Sequence, residues 1–396
     1  MVQERTRDIR VGFILDPDSN NWIGGVHYFK NLFYAISIDS NSRIHPVVLT
    51  IDKGACTHYF PEVESIPFSF ADCNNKYIIN IVRKIFQTPS LASHLLRGYV
   101  KKHHIDVLSH TAIQSQAAGI PTIGWIPDFQ EKYLPEFFSE QEIAMRERSA
   151  QNLIRESTLT LFSSQSAKGD AMQYYPKYQD KYVVLHFVAT FFGTDYSYLT
   201  DDVITTYDLS HDYFYCPNQL WKHKNHMILI EALTLLKNEG INAQIVCSGS
   251  QSDYRNPMYF DELFSKVKAY ELEDQFRYLG QIPYEDVLSL MLHTRAMINP
   301  SFFEGWSSSV EEAKSLGIPI ILSDLPVHRE QNPYDALYFS PNNPEELAEC
   351  IKESIYFPKN KRIKEQQGIL MDRTIQYARN YESIIIQALE KYSHGP

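Results

Sequence analysis

The sequence predicts an α/β protein with two domains, each built around a parallel β-sheet. Three observations support this prediction. The chain has 396 residues, more than one ordinary hydrophobic core accommodates. Short apolar runs alternate with helical patterns along its length, as in βαβ units. A polar segment at about 190–211 interrupts the alternation, and we place the boundary between domains 1–200 and 201–374 there.

The first domain opens with the run IRVGFIL at 9–15, the loop DPDSNNWIGG and the apolar-periodic segment VHYFKNLFYAI. Strand, glycine loop and helix in this order are typical of the opening of a nucleotide-binding α/β unit. Continuous apolar runs then predict further buried parallel strands. These runs are HPVVLTI (45–51), IDVLSH (105–110), IPTIGWI (120–126), STLTLFSS (157–164) and KYVVLHFV (181–188).

The second domain repeats this plan. Its predicted strands are YFYCPN (213–218), NAQIVCSG (242–249), FRYLG (276–280), the end of VLSLMLHTRAMINP (287–300), IPIILSD (318–324) and ALYFSP (336–341). Helical patterns separate these strands and close the chain at 344–357 and 363–392. Two such sheets that face each other form a cleft, and ligands bind at the carboxyl ends of the strands, so we expect the active site in that cleft.

Composition and charge narrow the function classes. The formal net charge of −11 argues against a protein that wraps nucleic acid. The five cysteines form no C-x-x-C pair, so we expect free thiols in a reducing compartment and no zinc site. The charged start MVQERTRDIR does not resemble a secretory signal, and no apolar run is long enough to span a bilayer. We therefore expect a cytoplasmic protein.

The stretch SFFEGWSSSVEEA at 301–313 contains the residues that best indicate a binding site. Serines 307–309 are good N-cap residues for a helix that closes at Gly317. Free N–H groups at this helix start can take an anion such as phosphate. Glu312 follows about one turn into the helix, where its two oxygens can accept hydrogen bonds from vicinal hydroxyls. These features together suit a diphosphate with a sugar at each end.

At these residues the sequence resembles the GT-B fold glycosyltransferases of family four, the retaining group 1 enzymes. Glu304 and Glu312 match the E-x7-E motif, and SLGIPIILSDLPVHRE and ALYFSPNNPEELAECI match its usual continuation. FYCPNQLWKHKNHMILIEAL resembles the strand, loop and helix that carry a phosphate-binding lysine. The resemblance implies two Rossmann-like domains that face a central cleft. It also implies an acceptor-binding N-terminal domain, a donor-binding C-terminal domain and a last helix, about 375–396, that crosses back to the first.

The resemblance also implies roles for individual residues. Glu312 matches the glutamate that binds the nucleotide ribose, Glu304 the one near the donor sugar, and Lys224 the diphosphate lysine. The family's usual second cation, an arginine, is here Gln219, so Lys222 becomes its substitute candidate. The remaining donor-binding candidates are backbone groups at Gly24, Gly25, Gly305, Trp306, Ser307, Ser308 and Ser309.

A second departure concerns the acceptor side. Pro127 occupies the position where many members of the family have a histidine. Asp128 is the nearest polar group and His110 is another candidate, while Glu330 is a candidate for closing over the nucleotide. Plain structural roles compete with each of these: a turn cap for Asp128, a satisfied strand-end residue for His110, and a surface ion pair for Glu330.

Other candidates also have ordinary explanations. Glu304 and Glu312 can be helix-start acids, Lys222 a surface cation, and Gly24 with Gly25 a tight turn. One stretch, 76–104, contains six basic residues and no acid, with apolar residues interleaved. This pattern suits either contact with an anionic membrane or a solvated helix face.

These features predict an enzyme that moves a sugar from GDP-mannose or a UDP-sugar to a hydroxyl of a glycan or lipid-linked acceptor. Lys224, Lys222 and the helix start would stabilise the leaving diphosphate, with Glu304 and Asp128 orienting sugar hydroxyls. We expect no cofactor and no metal, and a role in bacterial surface polysaccharide synthesis, with the protein peripheral on the inner membrane face. The alternatives are a nucleotide-sugar epimerase, a phosphorylase and a non-catalytic binding subunit of the same fold.

Overall fold

A computed structural model describes residues 7–15, 23–50, 58–67, 89–191, 199–210, 212–355 and 363–394. The chain divides into two compact units. The first contains 1–129, 141–187 and 373–396, and the second contains 130–140 and 188–372. The long stretch of the first unit thus ends at Phe187, ahead of the polar segment where we placed the boundary, and 130–140 belongs to the second unit.

The first unit contains a seven-stranded parallel sheet in the order β3-β2-β1-β4-β5-β6-β7. Its strands are β1 (Ile9–Ile14), β2 (Ile44–Thr50), β3 (Glu64–Pro67), β4 (Val107–Ser109), β5 (Thr122–Ile126), β6 (Leu159–Phe162) and β7 (Tyr182–Val184). The apolar runs predicted six of these strands. The edge strand β3 was not predicted, because its sequence ESIP is short and polar and ends in proline.

The helices up to residue 187 are α1 (Ile23–Ile38), α2 (Pro89–Lys102), α3 (Ser115–Ala118), α4 (Gln130–Tyr133), α5 (Glu140–Glu156) and α6 (Gln165–Tyr174). Short 3-10 turns lie at Pro135–Phe137 and Pro176–Lys181. Of these, α4 and the first 3-10 turn fall in the second unit.

The second unit contains a six-stranded parallel sheet in the order β10-β9-β8-β11-β12-β13. Its strands are β8 (Tyr213–Cys216), β9 (Gln244–Cys247), β10 (Phe276–Tyr278), β11 (Met297–Asn299), β12 (Ile320–Ser323) and β13 (Leu337–Phe339). All six were predicted. Their side chains are mostly buried, as expected for strands covered on both faces.

The helices of this part are α7 (Asp202–Thr206), α8 (His226–Asn238), α9 (Tyr259–Ala269), α10 (Tyr284–His293), α11 (Ser308–Leu316), α12 (Pro326–Gln331), α13 (Pro344–Ser354) and α14 (Ile363–Ser393). A 3-10 turn at Lys222–Lys224 precedes α8. The last helix, α14, starts in the second unit and belongs to the first from Arg373 onward. This confirms the predicted two-domain α/β architecture with a C-terminal helix that returns to the N-terminal domain.

Hydrophobic packing of α8, α9 and α13 on the second sheet forms the core that fixes the loops at the strand ends. Buried side chains from both layers, such as Phe214, Ile230, Leu263 and Ile351, belong to one cluster. Such a core makes the positions of the following loops depend on the sheet. Among the described residues, no helix has the length and apolar character that a membrane span requires.

Candidate active site

The strand order of the second sheet places its crevice between β8 and β11. On one side of that point the chain runs outward from β8 to β10, and on the other from β11 to β13. In doubly wound sheets, ligands bind at this reversal, outside the carboxyl ends of the strands. The loop after β8 carries Lys224, and the loop after β11 carries Glu304. Topology alone therefore brings the two predicted charged residues to the same edge.

Lys224 and Glu304 form a buried ion pair. The Lys224 Nζ atom lies 2.7 Å from Glu304 Oε1, and their side chains are only 17% and 8% exposed. The same Oε1 accepts hydrogen bonds from Ser301 Oγ at 2.7 Å and Asn299 Nδ2 at 3.2 Å. No described residue donates to Glu304 Oε2. One oxygen of this carboxylate is thus fixed by the protein, and the other can accept from a ligand.

The environment keeps Glu304 ionised. Burial by itself raises the pKa of this carboxyl, but the Lys224 charge and the hydrogen bonds from Lys224 and Ser301 outweigh it and lower the pKa to about 2. An ammonium group has three N–H donors, and Glu304 takes one of them. The pair therefore holds Lys224 in one position and leaves two donors for the oxygens of an anion.

Asn299 links the start of α11 to this pair, because its Nδ2 donates to both Glu304 and Ser307. Ser307 is the N-cap residue, and its Oγ accepts from Asn299 Nδ2 at 2.9 Å. Gln331 clamps the same residue: its Oε1 accepts from the Ser307 N–H at 3.3 Å and its Nε2 donates to the Ser307 carbonyl at 3.0 Å. The Ser307 amide, which we expected to be free for an anion, is therefore occupied. The first-turn amides of Ser308 and Ser309 remain at the positive end of the helix.

Glu312 lies on α11 in a nearly dry environment. The residue is 9% exposed, and its Oε1 accepts from the Tyr284 hydroxyl at 2.8 Å. Burial raises its pKa to about 7, although the Tyr284 hydrogen bond works in the opposite direction. Its neighbour Glu311 is also buried, but it is paired with Lys314 at 2.9 Å. Of the two adjacent acids, Glu312 is the one without a cation beside it.

For the second cation of the site, the sequence offered Gln219 at the family's arginine position and Lys222 as its substitute. Gln219 is half-buried in the loop after β8. Lys222 is exposed, and its Nζ lies 6.0 Å from the centre of the Phe137 ring. Sequence reasoning missed Arg255, whose buried guanidinium lies 5.1 Å from the Phe138 ring centre and 3.4 Å, through Nη2, from His223 Nδ1.

Arg255 belongs to the turn segment SDYRNP between β9 and α9, which gave no site signal in the sequence. Its side chain is 7% exposed and makes a 3.5 Å ion pair with Asp253, whose Oδ2 accepts from the Lys222 N–H at 3.2 Å. His223 itself is buried, and burial together with the Lys224 charge lowers its pKa to about 3. These groups pack against the turn Lys222–Lys224 and stabilise it.

Glu330 and Trp306 are half-buried. Glu330 lies on the short helix α12, and Gly305 and Trp306 lie in the loop before α11. A neighbour of Glu330 is more closely tied to the site: His328 is fully buried, and its Nδ1 donates to the Ser323 carbonyl at 2.8 Å. Burial lowers the pKa of His328.

In the first unit, Gly24 and Gly25 lie in the first turn of α1, directly after β1 at the corresponding reversal of that sheet. Gly24 is exposed, and a Cβ built there would have no atom of the described residues within 4 Å. Gly25 is buried. The preceding loop, 16–22, lies outside the described residues.

His110 is half-buried and lies against aromatic side chains of the first unit. It follows β4 with φ +54°, and its Nε2 and Nδ1 lie 2.8 Å from Tyr28 Oη and 2.9 Å from Ser109 Oγ. Rings of Phe13, Trp125 and others surround it, and burial lowers its pKa to about 3. Both ring nitrogens therefore have protein partners, which fits the structural role considered for it.

Asp128 follows β5 and is half-buried, two residues before α4. The basic stretch is only partly described: Lys76, Arg83 and Lys84 lie outside the described residues. On α2, Arg97, Lys101 and Lys102 are exposed.

A family model described as glycosyl transferases group 1 matches residues 205–379, which include Lys224, Glu304 and Glu312. The O-antigen chain mannosyltransferase RfbU of Salmonella typhimurium is 28% identical over 147 residues, or 37% of this chain and 39% of that protein. The O-antigen chain mannosyltransferase B of Escherichia coli is 26% identical over 132 residues, or 33% of this chain and 34% of that protein. The chain thus matches well under half the length of these curated relatives.

Solved structures show the fold over almost the whole chain. A glycosyltransferase from Rickettsia africae has a TM-score of 0.67 at 15% identity and covers 97% of this chain and 100% of its own. Anabaena HepE in complex with UDP and glucose has a TM-score of 0.63 at 16% identity, covering 97% and 98%. WaaG, a glycosyltransferase involved in lipopolysaccharide biosynthesis, has a TM-score of 0.57 at 14% identity, covering 97% and 100%.

Proposed function

We propose that this chain, a glycosyltransferase of the group 1 family with the GT-B fold, transfers a sugar from a nucleoside diphosphate sugar to a hydroxyl of a glycan or lipid-linked acceptor. One observation carries the proposal. The buried Lys224–Glu304 pair and the start of α11 lie at the carboxyl ends of β8 and β11, where the second sheet reverses its strand order.

The leaving diphosphate takes its counter-charge from two sources in this unit. Lys224 offers the two N–H donors that Glu304 does not use, and α11 offers the Ser308 and Ser309 amides and the positive end of its dipole. Because these groups are held by buried hydrogen bonds before a ligand arrives, they need little reorganisation as charge develops on the diphosphate.

The two carboxylates contact opposite ends of the donor. Glu312 accepts hydrogen bonds from the ribose hydroxyls, through the oxygen that Tyr284 does not occupy. Glu304 accepts a hydroxyl of the transferred sugar through Oε2. The reaction retains the anomeric configuration, as the resemblance to family four implies, with the acceptor hydroxyl attacking from the face that the diphosphate leaves. From the first unit, we assign Asp128 to orienting sugar hydroxyls and the backbone of Gly24 to the donor phosphates, as the resemblance implies.

The named activities of the curated relatives support mannose as the sugar and a bacterial surface polysaccharide as the product, because both relatives are O-antigen mannosyltransferases. GDP-mannose is therefore the first donor to test, and a UDP-sugar is the second, since HepE was solved with UDP-glucose. The exposed cations of α2 support an anionic membrane surface as the place where a lipid-linked acceptor is met.

The test is thermal stabilisation by UDP, GDP, dTDP, ADP and CMP at saturating concentration. A ligand at a hundred times its Kd stabilises the folded chain by about 2.7 kcal/mol. We expect one nucleoside diphosphate to raise the unfolding midpoint, the Glu312→Ala variant to lose the effect, and the control Glu349→Gln, at an exposed surface pair, to keep it. Transfer from the matching nucleotide sugar to a glycan acceptor then follows by mass spectrometry. No response to any nucleotide in the wild-type chain would favour a non-catalytic subunit.

A further inference from the structure

Two cysteines and a histidine that are far apart in the sequence meet in the core of the second unit. Cys216 ends β8 and Cys247 ends β9, and the two residues are register partners in the parallel sheet. His226 is the first residue of α8. Its Nε2 atom lies 3.8 Å from Cys216 Sγ, and the ligand atoms of all three residues lie within 4.8 Å of one another. All three residues are 0% exposed.

These distances fit a tetrahedral ion better than they fit a network of hydrogen bonds. With metal–sulfur and metal–nitrogen bonds of about 2.3 and 2.0 Å, sulfur and nitrogen ligands of one tetrahedral ion lie about 3.5 Å apart. The Nε2 atom of the buried His226 meets Cys216 Sγ at 3.8 Å, a weak contact that compensates poorly for burying an imidazole nitrogen, whereas a metal–nitrogen bond compensates well. The Nδ1 atom of this ring has no hydrogen-bond partner among the described residues, and binding through Nε2 does not change that.

We propose that Cys216, Cys247 and His226 bind a thiophilic divalent ion of the zinc class. The fourth ligand is Asn218, which is 5% exposed and whose carboxamide lies 3.8 Å from Cys216 Sγ. A carboxamide rotated by half a turn exchanges its nitrogen and oxygen, so this side chain can offer Oδ1 to the same point. The proposal replaces our expectation, drawn from the absence of C-x-x-C spacing, that the chain has no zinc site.

Binding requires that both thiols lose their protons. One divalent ion replaces two S–H protons, which leave to solvent, while His226 binds through its neutral Nε2, so the charge of the site is balanced. Because the site is completely buried, the ion enters while the unit folds and then remains.

The site has a structural role that is independent of the proposed transfer reaction. Cys216 and His226 are the two ends of the loop 217–225, which carries Lys224. An ion bound to both ends, and to β9 through Cys247, fixes the span of this loop. It therefore stabilises the second unit and does not contact the donor.

The experiment measures metal content by mass spectrometry in the full chain, produced with zinc in the medium and freed of loose metal by gel filtration. We expect about one ion per chain in the wild type, and at least a tenfold lower content in Cys216→Ser, Cys247→Ser and His226→Gln. The matched control is Cys350→Ser, because Cys350 is the other buried cysteine described in the second unit and its thiol donates to the Tyr338 carbonyl, at 3.7 Å. This variant should keep the metal.

A second measurement needs no core variant. The wild-type chain is unfolded, stripped with a chelator and refolded with one equivalent of Co²⁺, which should produce the absorption bands of thiolate-to-cobalt charge transfer. Wild-type protein that contains no metal and shows no such bands would overturn the proposal and leave a thiol–imidazole cluster. Metal retained in a Cys216→Ser/Cys247→Ser double variant would overturn it as well, because the ion would then lie elsewhere. Neither result depends on the nucleotide response.

Discussion

Nucleotide binding should depend on pH through Glu312. Burial raises the pKa of this carboxyl to about 7, and only the ionised form offers all its lone pairs to the ribose hydroxyls. At this pKa the ionised fraction falls from about nine-tenths at pH 8 to about one-tenth at pH 6. We therefore expect the affinity for the stabilising nucleoside diphosphate to fall about tenfold over this interval, or about 1.4 kcal/mol. Calorimetric titration at several pH values measures this change.

Two variants separate Glu312 from the phosphates, which titrate in the same range. In Glu312→Gln the affinity is lower at every pH, and only the contribution of the ligand's own phosphates to the pH dependence remains. In Tyr284→Phe the hydrogen bond that lowers the Glu312 pKa is lost, so the midpoint of the pH dependence moves upward. The reasoning fails if the wild type and Glu312→Gln lose affinity by the same factor between pH 8 and pH 6.

Three further predictions concern stability and the acceptor unit. Glu304→Gln should cost about 3 kcal/mol at pH 7 in urea unfolding, since its pKa is lowered from 4.5 to about 2, and this stability should disappear as the pH falls from about 4.5 toward 2. The exposed-pair control Asp324→Asn should cost under about 1 kcal/mol, and an equal cost would contradict the buried pair. Gly24→Ala should leave the unfolding midpoint unchanged or slightly raised but increase the KM for the donor, and an unchanged KM would remove Gly24 from the site. Tyr28→Phe should cost about 1–3 kcal/mol by leaving one nitrogen of His110 unpartnered, whereas thermal stability equal to the wild type would show that this hydrogen bond is unimportant.

The strands were predictable because a parallel strand that is buried on both faces needs a continuous apolar run, with unexposed residues such as Val11 in β1 and Ile321 in β12. The edge strand β3 escaped because edge positions favour polar residues and proline. The strand pairs with β2, and its Glu64 also forms an ion pair at 2.9 Å with Arg10 on β1. That contact joins residues far apart in the sequence, so no local pattern indicates it.

The residues of the candidate site differ in the same way: local sequence motifs mark some of them and not others. Lys224, Glu304 and Glu312 belong to local motifs, and these motifs are what select them as site candidates. Tyr284, the partner of Glu312, and Gln331, the partner of Ser307, come from other helices, and a single tyrosine or glutamine on a helix carries no signal of its own. The cysteine cluster is the extreme case, because spacing rules search along the chain, whereas strand order and register bring the thiols together.

The position of Lys224 should therefore be sensitive to residues that never touch a ligand, and Gly249 is the clearest example. It follows β9 with φ +140°, and a Cβ there would lie 2.8 Å from the Asn218 carbonyl oxygen and from Gln219 Cα, in the loop that carries Lys224. Backbone cannot yield as a flexible side chain can, so Gly249→Ala must displace this loop. We expect nucleotide affinity to fall at least about tenfold, or about 1.4 kcal/mol of binding free energy, because Lys224 moves away from its position beside the nucleotide phosphates.

Gly240→Ala supplies the matched control, because Gly240 also has a positive φ, +76°, but a Cβ there would meet nothing within 4 Å. This variant should lose about 1–2 kcal/mol of stability from backbone strain alone and bind nucleotide like the wild type. The difference between the two variants then isolates the displacement of the loop. If both bind nucleotide equally well, the loop after β8 adjusts freely, and Lys224 does not depend on the contacts that we assign to it.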